Sequence, residues 1–115
     1  MSFILYHNPR CSKSRATLAL LEQNQIAPEI VEYLKSPPDA QQLESILQML
    51  GMEPRALMRT GESEYRELGL SDPELSREAL IAAMVEHPRL IERPILLHNG
   101  KAAIGRPPER VLEIL

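Results

Sequence analysis

The chain has 115 residues and a mass of 13.0 kDa, which suits one domain and leaves no room for two full-sized cores. Its 43% apolar and 25% charged residues are the composition of a soluble globular chain and argue against a disordered or membrane-embedded one. A net charge of −3, with no Trp, three Tyr and one Phe, argues against a nucleic-acid module, which needs basic patches or stacking aromatics.

Phe3 to Tyr6 is a short β-prone run that stops at His7-Asn8-Pro9, and it is too short for a secretory signal. From Cys11 onward the spacing becomes helical, with Ala16 and Leu20 four apart and Leu18 and Leu21 three apart. Cys11 therefore stands where a strand feeds a helix. Ile30, Val31 and Tyr33 form a second β-prone stretch, ended by Lys35-Ser36-Pro37-Pro38, where two prolines remove backbone donors. Asp39 then reads as an N-cap with Gln42 at N3, and Leu43, Ile46, Leu47 and Leu50 follow helical spacing up to a stop at Gly51.

Between Met52 and His87 the pattern is one of short helical pieces broken by Pro54, Gly61, Gly69 and Pro73. The clearest begins after Ser76, carries Leu80, Ala83, Met84 and His87 on one side, and ends near Pro88. Ile95 to His98 and Lys101 to Ile104 flank Asn99-Gly100, a hairpin signal because that dipeptide accepts the positive φ values of a type I′ turn. His98, beside the turn, is expected at the surface, and His87 at a helix end. A last helix from about Pro107 carries Val111, Leu112 and Leu115. The order is β-α-β, a helical block over about residues 39–88, then β-β-α, within a single domain spanning 1–115. A helix between the first two strands implies a parallel pair and the hairpin an antiparallel one, so an α/β fold with a mixed sheet is expected.

The chain has one cysteine, which excludes an intrachain disulfide and any multi-thiolate zinc or iron–sulfur site built by this chain alone. This fits a reducing compartment, and the cytoplasm is the expected location. A thiol is a useful nucleophile only as thiolate, and a helix N-terminus lowers its pKa from about 8.5 toward roughly 3.5 to 7.5. A lone Cys is more often a buried structural residue. Here His7, Arg10 and Arg15 supply cations around Cys11, and Ser14 supplies a hydroxyl one turn away, which favours the nucleophile.

The same helix start suits a tetrahedral oxyanion. All five glycines lie beyond the first helix, so neither a phosphate-cradling loop nor a dinucleotide fingerprint is present. Cys11-x3-Arg15 also differs from the C-x5-R loop of cysteine phosphatases, because Thr17 stands six positions after Cys11. Further positive charge would come from Arg59 after Ala56-Leu57-Met58, Arg93 before Pro94, and Arg106 after Gly105, although a solvated surface position is the ordinary reading of each. His7 and Cys11 are too few for a closed metal site, and no metal is expected.

His7-Asn8-Pro9-Arg10-Cys11-Ser12-Lys13-Ser14-Arg15 resembles the H-N-P-x-C-x-x-S-R signature of the glutaredoxin-coupled arsenate reductases, which have a thioredoxin-like fold with an inserted helical region. Tyr33 to Pro38, Arg55 to Arg59, Glu67 to Leu70, His87-Pro88, Ile91 to Ile95 and Gly105 to Pro107 resemble that family's landmarks in order, over nearly the whole chain. The resemblance implies Cys11 as nucleophile, with His7, Ser14 and Arg15 holding it as thiolate. It further implies Arg59, Arg93 and Arg106 around arsenate, with Asn8 and a cis Pro94 shaping the site. No bound cofactor is implied. Cys11 would attack arsenate, glutathione as co-substrate would attack the arsenic adduct, and glutaredoxin would reduce the mixed disulfide; an external thiol explains the single cysteine. Two other readings share these residues. One is a glutathione-dependent thiol reductase of another substrate. The other is a non-enzymatic thiol-stress regulator contacting RNA polymerase, whose typical C-x-x-C switch has Ser14 at its second position here.

Overall fold

The computed structural model describes residues 2–115, which divide into two compact units: one runs to Ser36 and resumes over Arg93–Leu115, the other is Pro37–Glu92. No helix among the described residues is long and apolar enough to cross a membrane.

The first unit holds a four-stranded mixed sheet in the order β2-β1-β3-β4, formed by β1 (Phe3–His7), β2 (Glu29–Glu32), β3 (Ile95–His98) and β4 (Lys101–Ile104). Helix α1 (Ser12–Gln23) crosses from β1 to β2, so these two strands run parallel, with Leu5 opposite Ile30. β3 runs antiparallel to β1, with Leu5 opposite Leu96, and β4 returns antiparallel to β3. Asn99 (φ 56) and Gly100 (φ 77) both take positive φ, as a type I′ turn requires. This is the α/β, thioredoxin-like arrangement the resemblance implies. Leu5, Leu21, Leu96, Ala103 and Val111 form its core, with Phe3, Leu18, Leu20, Ile26 and Ile114 packed around them. Each fully buried leucine contributes about 1.5–3 kcal/mol relative to exposure.

Several local expectations are corrected. The buried stripe of α1 is Ser14, Thr17 and Leu21, and Ala16 is exposed. Two of those three are polar, so an apolar-spacing argument points away from the face that is buried. The last element, Pro108–Ile114, is a 3-10 helix rather than an α-helix. With three residues per turn, Val111 and Ile114 align on the core side, while Leu112 and Leu115 are exposed. His98 is buried, not at the surface. Its ring stacks on Phe3, the residue opposite it in β1, with centroids 3.8 Å apart, and its Nδ1 lies 3.0 Å from the Ser2 carbonyl. A carbonyl only accepts, so Nδ1 carries the proton.

The second unit is helical: α2 (Ala40–Leu50), α3 (Pro54–Leu57), α4 (Ser63–Glu67), α5 (Arg77–Glu86) and a 3-10 turn at Pro88–Leu90. Asp39 and Gln42 form a reciprocal capping box at the start of α2, and Gly51 ends it with φ 67. Pro54 opens α3 rather than breaking a helix, its missing N–H being one a first turn leaves unpaired anyway. Ser76 caps α5, whose buried residues are Leu80, Ile81 and Met84. His87 is its C-terminal cap residue. Arg55 donates through Nε to the Leu70 carbonyl at 3.0 Å and through Nη2 to the Asp72 carbonyl.

Candidate active site

The loop between β1 and α1 is folded by its own backbone and by Asn8. The Cys11 N–H donates to the Asn8 carbonyl at 3.0 Å, and the Asn8 side-chain oxygen accepts from the Arg10 N–H at 3.0 Å. This Asx turn places Cys11 at the N-cap of α1, in extended conformation (φ −94, ψ 126), while its carbonyl accepts the first helical bond from Arg15. The thiol is half-buried.

Burial pushes the Cys11 thiol up, but the N–H of Ser14, the Arg93 guanidinium and the N–H of Lys13 outweigh it, and the pKa falls below its ordinary value. Arg106 adds a second guanidinium: its Nη2 donates to Cys11 Sγ at 3.5 Å, and its Nε donates to the Arg93 carbonyl at 2.7 Å. The peptides Arg93–Pro94 and Arg106–Pro107 are both cis. The first unit by itself thus gathers Cys11, Arg93 and Arg106.

The remaining predicted residues take roles the sequence did not indicate. The Ser14 hydroxyl is fully buried and lies 2.9 Å from His7 Nδ1, while accepting from the Asn8 N–H at 3.0 Å. Ser14 therefore meets Cys11 through its backbone N–H, and its side chain fastens the loop. His7 is not a cation near neutral pH: burial lowers its pKa, the Glu32 carboxylate pulls it back up, and the Arg15 guanidinium adds to the fall. Arg15 itself donates to the Pro9 carbonyl at 3.0 Å, binding the loop from the helix side. Arg59 belongs to the second unit, where its N–H donates to the Leu90 carbonyl at 2.7 Å. Its guanidinium pairs with Glu92 at 2.9 Å and Glu62 at 3.3 Å.

Three contributors escaped the sequence reading: the Lys13 N–H, the Arg93 carbonyl, and Thr17, buried on α1 with Oγ1 donating to the Lys13 carbonyl at 2.9 Å. The first two are backbone groups, which no side-chain pattern announces. For the third the available signal was its spacing, with Ser14, Thr17 and Leu21 falling three and four apart on one side of α1. Beside the loop opens a cavity of about 230 Å³, lined in part by His7, Arg10, Glu32 and Lys35. Among the described residues no group of three or more His, Cys, Asp or Glu is placed to hold a metal ion. The chemistry available is that of a thiol of lowered pKa beside two cations, a combination suited to attacking an electrophilic centre that carries anionic oxygens.

A family model described as the ArsC family matches residues 6–114. The chain is 60% identical to uncharacterized protein YfgD of Escherichia coli (strain K12) over 112 residues, covering 96% of this chain and 94% of that protein. It is 52% identical to an arsenate reductase of Neisseria meningitidis serogroup B over 112 residues, covering 96% of each. Among solved structures, an arsenate reductase from Vibrio cholerae superposes with a TM-score of 0.98 at 58% identity, covering 100% of this chain and 98% of that one.

Proposed function

The chain belongs to the ArsC family, and from that premise we propose that it reduces arsenate to arsenite, with Cys11 as nucleophile and with glutathione and glutaredoxin as reductants. The observation that carries the reading is the Arg106 guanidinium 3.5 Å from a sulfur whose pKa is lowered. The same positive field that keeps sulfur anionic attracts a tetrahedral oxyanion to it.

Cys11 thiolate attacks arsenic and forms an S–As bond while one arsenate oxygen, protonated, leaves as water. The glutathione thiol then attacks the adduct. Arsenic gains two electrons and departs as arsenite, and the two sulfurs, each giving up one, end as a Cys11–glutathione disulfide. Glutaredoxin exchanges with that disulfide and returns Cys11 to the thiol. The chain has no second cysteine, so the second sulfur must come from outside. Arg93, Arg106 and Arg59 receive the arsenate oxygens. His7, Ser14, Arg15 and Asn8 hold the loop that presents the thiolate, and Pro94 shapes the site. Arg10 and Lys35, bordering the cavity beside the loop, offer cations to the carboxylates of glutathione. A requirement for thiol reductants favours a cytoplasmic location.

The test is arsenate turnover coupled to glutathione and glutaredoxin, run also with thioredoxin in place of glutaredoxin. Turnover is expected with glutaredoxin, none with Cys11→Ser, and a raised KM for arsenate with Arg59→Ala. Equal support by thioredoxin would overturn the reductant assignment. No arsenate turnover, with Cys11 still glutathionylated, would overturn the substrate in favour of a thiol reductase of another compound.

A further inference from the structure

Four of the five glycines have open space where a Cβ would stand. Gly105 does not: an added Cβ would lie 2.5 Å from Thr17 Oγ1, 2.8 Å from Pro94 Cγ and 3.2 Å from Thr17 Cγ2. Its φ is not in the left-handed region, so glycine is required here by space and not by backbone conformation. Neither neighbour swings aside freely. Thr17 is fully buried, and its Oγ1 is tied to the Lys13 carbonyl at 2.9 Å. Pro94 is held to the same loop by its own carbonyl, which accepts the Gly105 N–H at 2.9 Å.

The next residue along is the one that reaches the sulfur. Arg106 donates its N–H to the Ile104 carbonyl at 2.9 Å, its Nε to the Arg93 carbonyl at 2.7 Å and its Nη2 to Cys11 Sγ at 3.5 Å. Cys11 and Thr17 stand on one rigid helix start, six positions apart, so the surface on which Gly105 rests and the sulfur that Arg106 meets belong to the same element. We infer that Thr17 and Gly105 form a spacer: the bare Cα at 105 closes on the fixed side chain at 17, and this contact sets how far Arg106 reaches toward Cys11. Both are positioning residues, acting through Arg106. A methyl group at 105 would have to retreat by roughly 1 Å to recover ordinary van der Waals spacing. Carried through the chain to Arg106, a retreat of that size would lengthen the 3.5 Å reach of Nη2 to the sulfur, and misplacement on this scale can cost about 10²-fold in rate.

The inference rests on the reading of Cys11 as the reacting thiolate. Its test needs no arsenate, so its failure is distinguishable from failure of the proposed activity. The thiolate absorbance near 240 nm is titrated in the whole protein for the parent, Gly105→Ala, Thr17→Ala and the Thr17→Ala/Gly105→Ala pair, with thermal unfolding as a control. Gly105→Ala is expected to raise the Cys11 pKa and to slow alkylation at pH 6 by about tenfold. The pair is expected to recover most of both, because removing Oγ1 and Cγ2 gives the loop room to move back from Pro94. A Gly105→Ala protein titrating like the parent overturns the spacer, as does a folded pair no better than Gly105→Ala. Should Gly105→Ala fail to fold, the pair is compared with Thr17→Ala. A match supports the inference, and a raised pKa or an unfolded pair overturns it.

Discussion

Arg106 Nε donates to the backbone carbonyl of Arg93 at 2.7 Å, so the guanidinium that meets Cys11 is aimed by the main chain of one arginine and not by its side chain. The two cations are therefore separable. Arg93→Gln removes one guanidinium while leaving the anchor of the other in place.

From this, Arg93→Gln and Arg106→Gln are each expected to raise the Cys11 pKa and to reduce kcat with arsenate by about 10²-fold, the usual loss when one donor to a developing oxyanion is removed. The double variant should be worse than either. Replacement by Lys should restore charge but not the forked contacts, and only part of the rate. Thiolate titration and steady-state kinetics check both halves. Equal pKa values in the parent and Arg93→Gln would contradict the placement of that side chain.

Ser14→Ala separates a side chain from its backbone. The variant loses the oxygen that serves the Asn8 N–H and His7 Nδ1 in a fully buried position, and should lose about 1–3 kcal/mol of stability in urea denaturation. The Ser14 and Lys13 N–H groups remain, so Cys11 should stay readily alkylated at pH 6. A thiol returned to ordinary reactivity in a folded variant would assign the effect to the hydroxyl.

The pH dependence of stability follows from His7, whose pKa burial holds below the ordinary 6.5. Between the lowered value and 6.5 the unfolded chain binds the extra proton, so stability should fall as pH drops through this window and level off below it. Above 6.5 His7 contributes no slope. Cys11, also lowered, acts in the same direction at its own pKa, so the measurement belongs in a Cys11→Ser background. Urea midpoints from pH 7.5 to 5 should then decline, and His7→Gln should flatten the decline.

In the helical unit, Asp39→Ala should cost about 1 kcal/mol by freeing both partners of the capping box. Gly51→Ala should cost roughly 1–2 kcal/mol, because φ 67 is a left-handed conformation that a Cβ disfavours. Both are read from denaturation midpoints, and neither substitution touches the loop that carries Cys11.

Local chemistry was legible where a cap or a tight turn decides the outcome. Asp39 with Gln42, Ser76, Gly51 and Asn99-Gly100 do their work within four residues, and the caps and the hairpin turn stand where the residue types put them. Legibility failed where a partner lies far along the chain. His98 looked exposed because nothing near it announces Phe3, its stacking partner across the sheet. His7 looked cationic because a charge count carries no burial.

The sequence alone determined that one thiol, set between a strand and a helix and followed by helix-start backbone, would carry any thiol chemistry, since only one cysteine is present. It also determined the strand and helix order and the mixed sheet. Only the tertiary structure decided which charges reach the sulfur. Arg93 and Arg106 are brought to Cys11 from the far end of the chain, and Arg15, four residues away, turns to a carbonyl instead. The reason is physical: a guanidinium on a long flexible stem goes where an acceptor is held for it, and the Arg93 and Pro9 carbonyls that hold Arg106 and Arg15 are positioned by folding, not by sequence spacing.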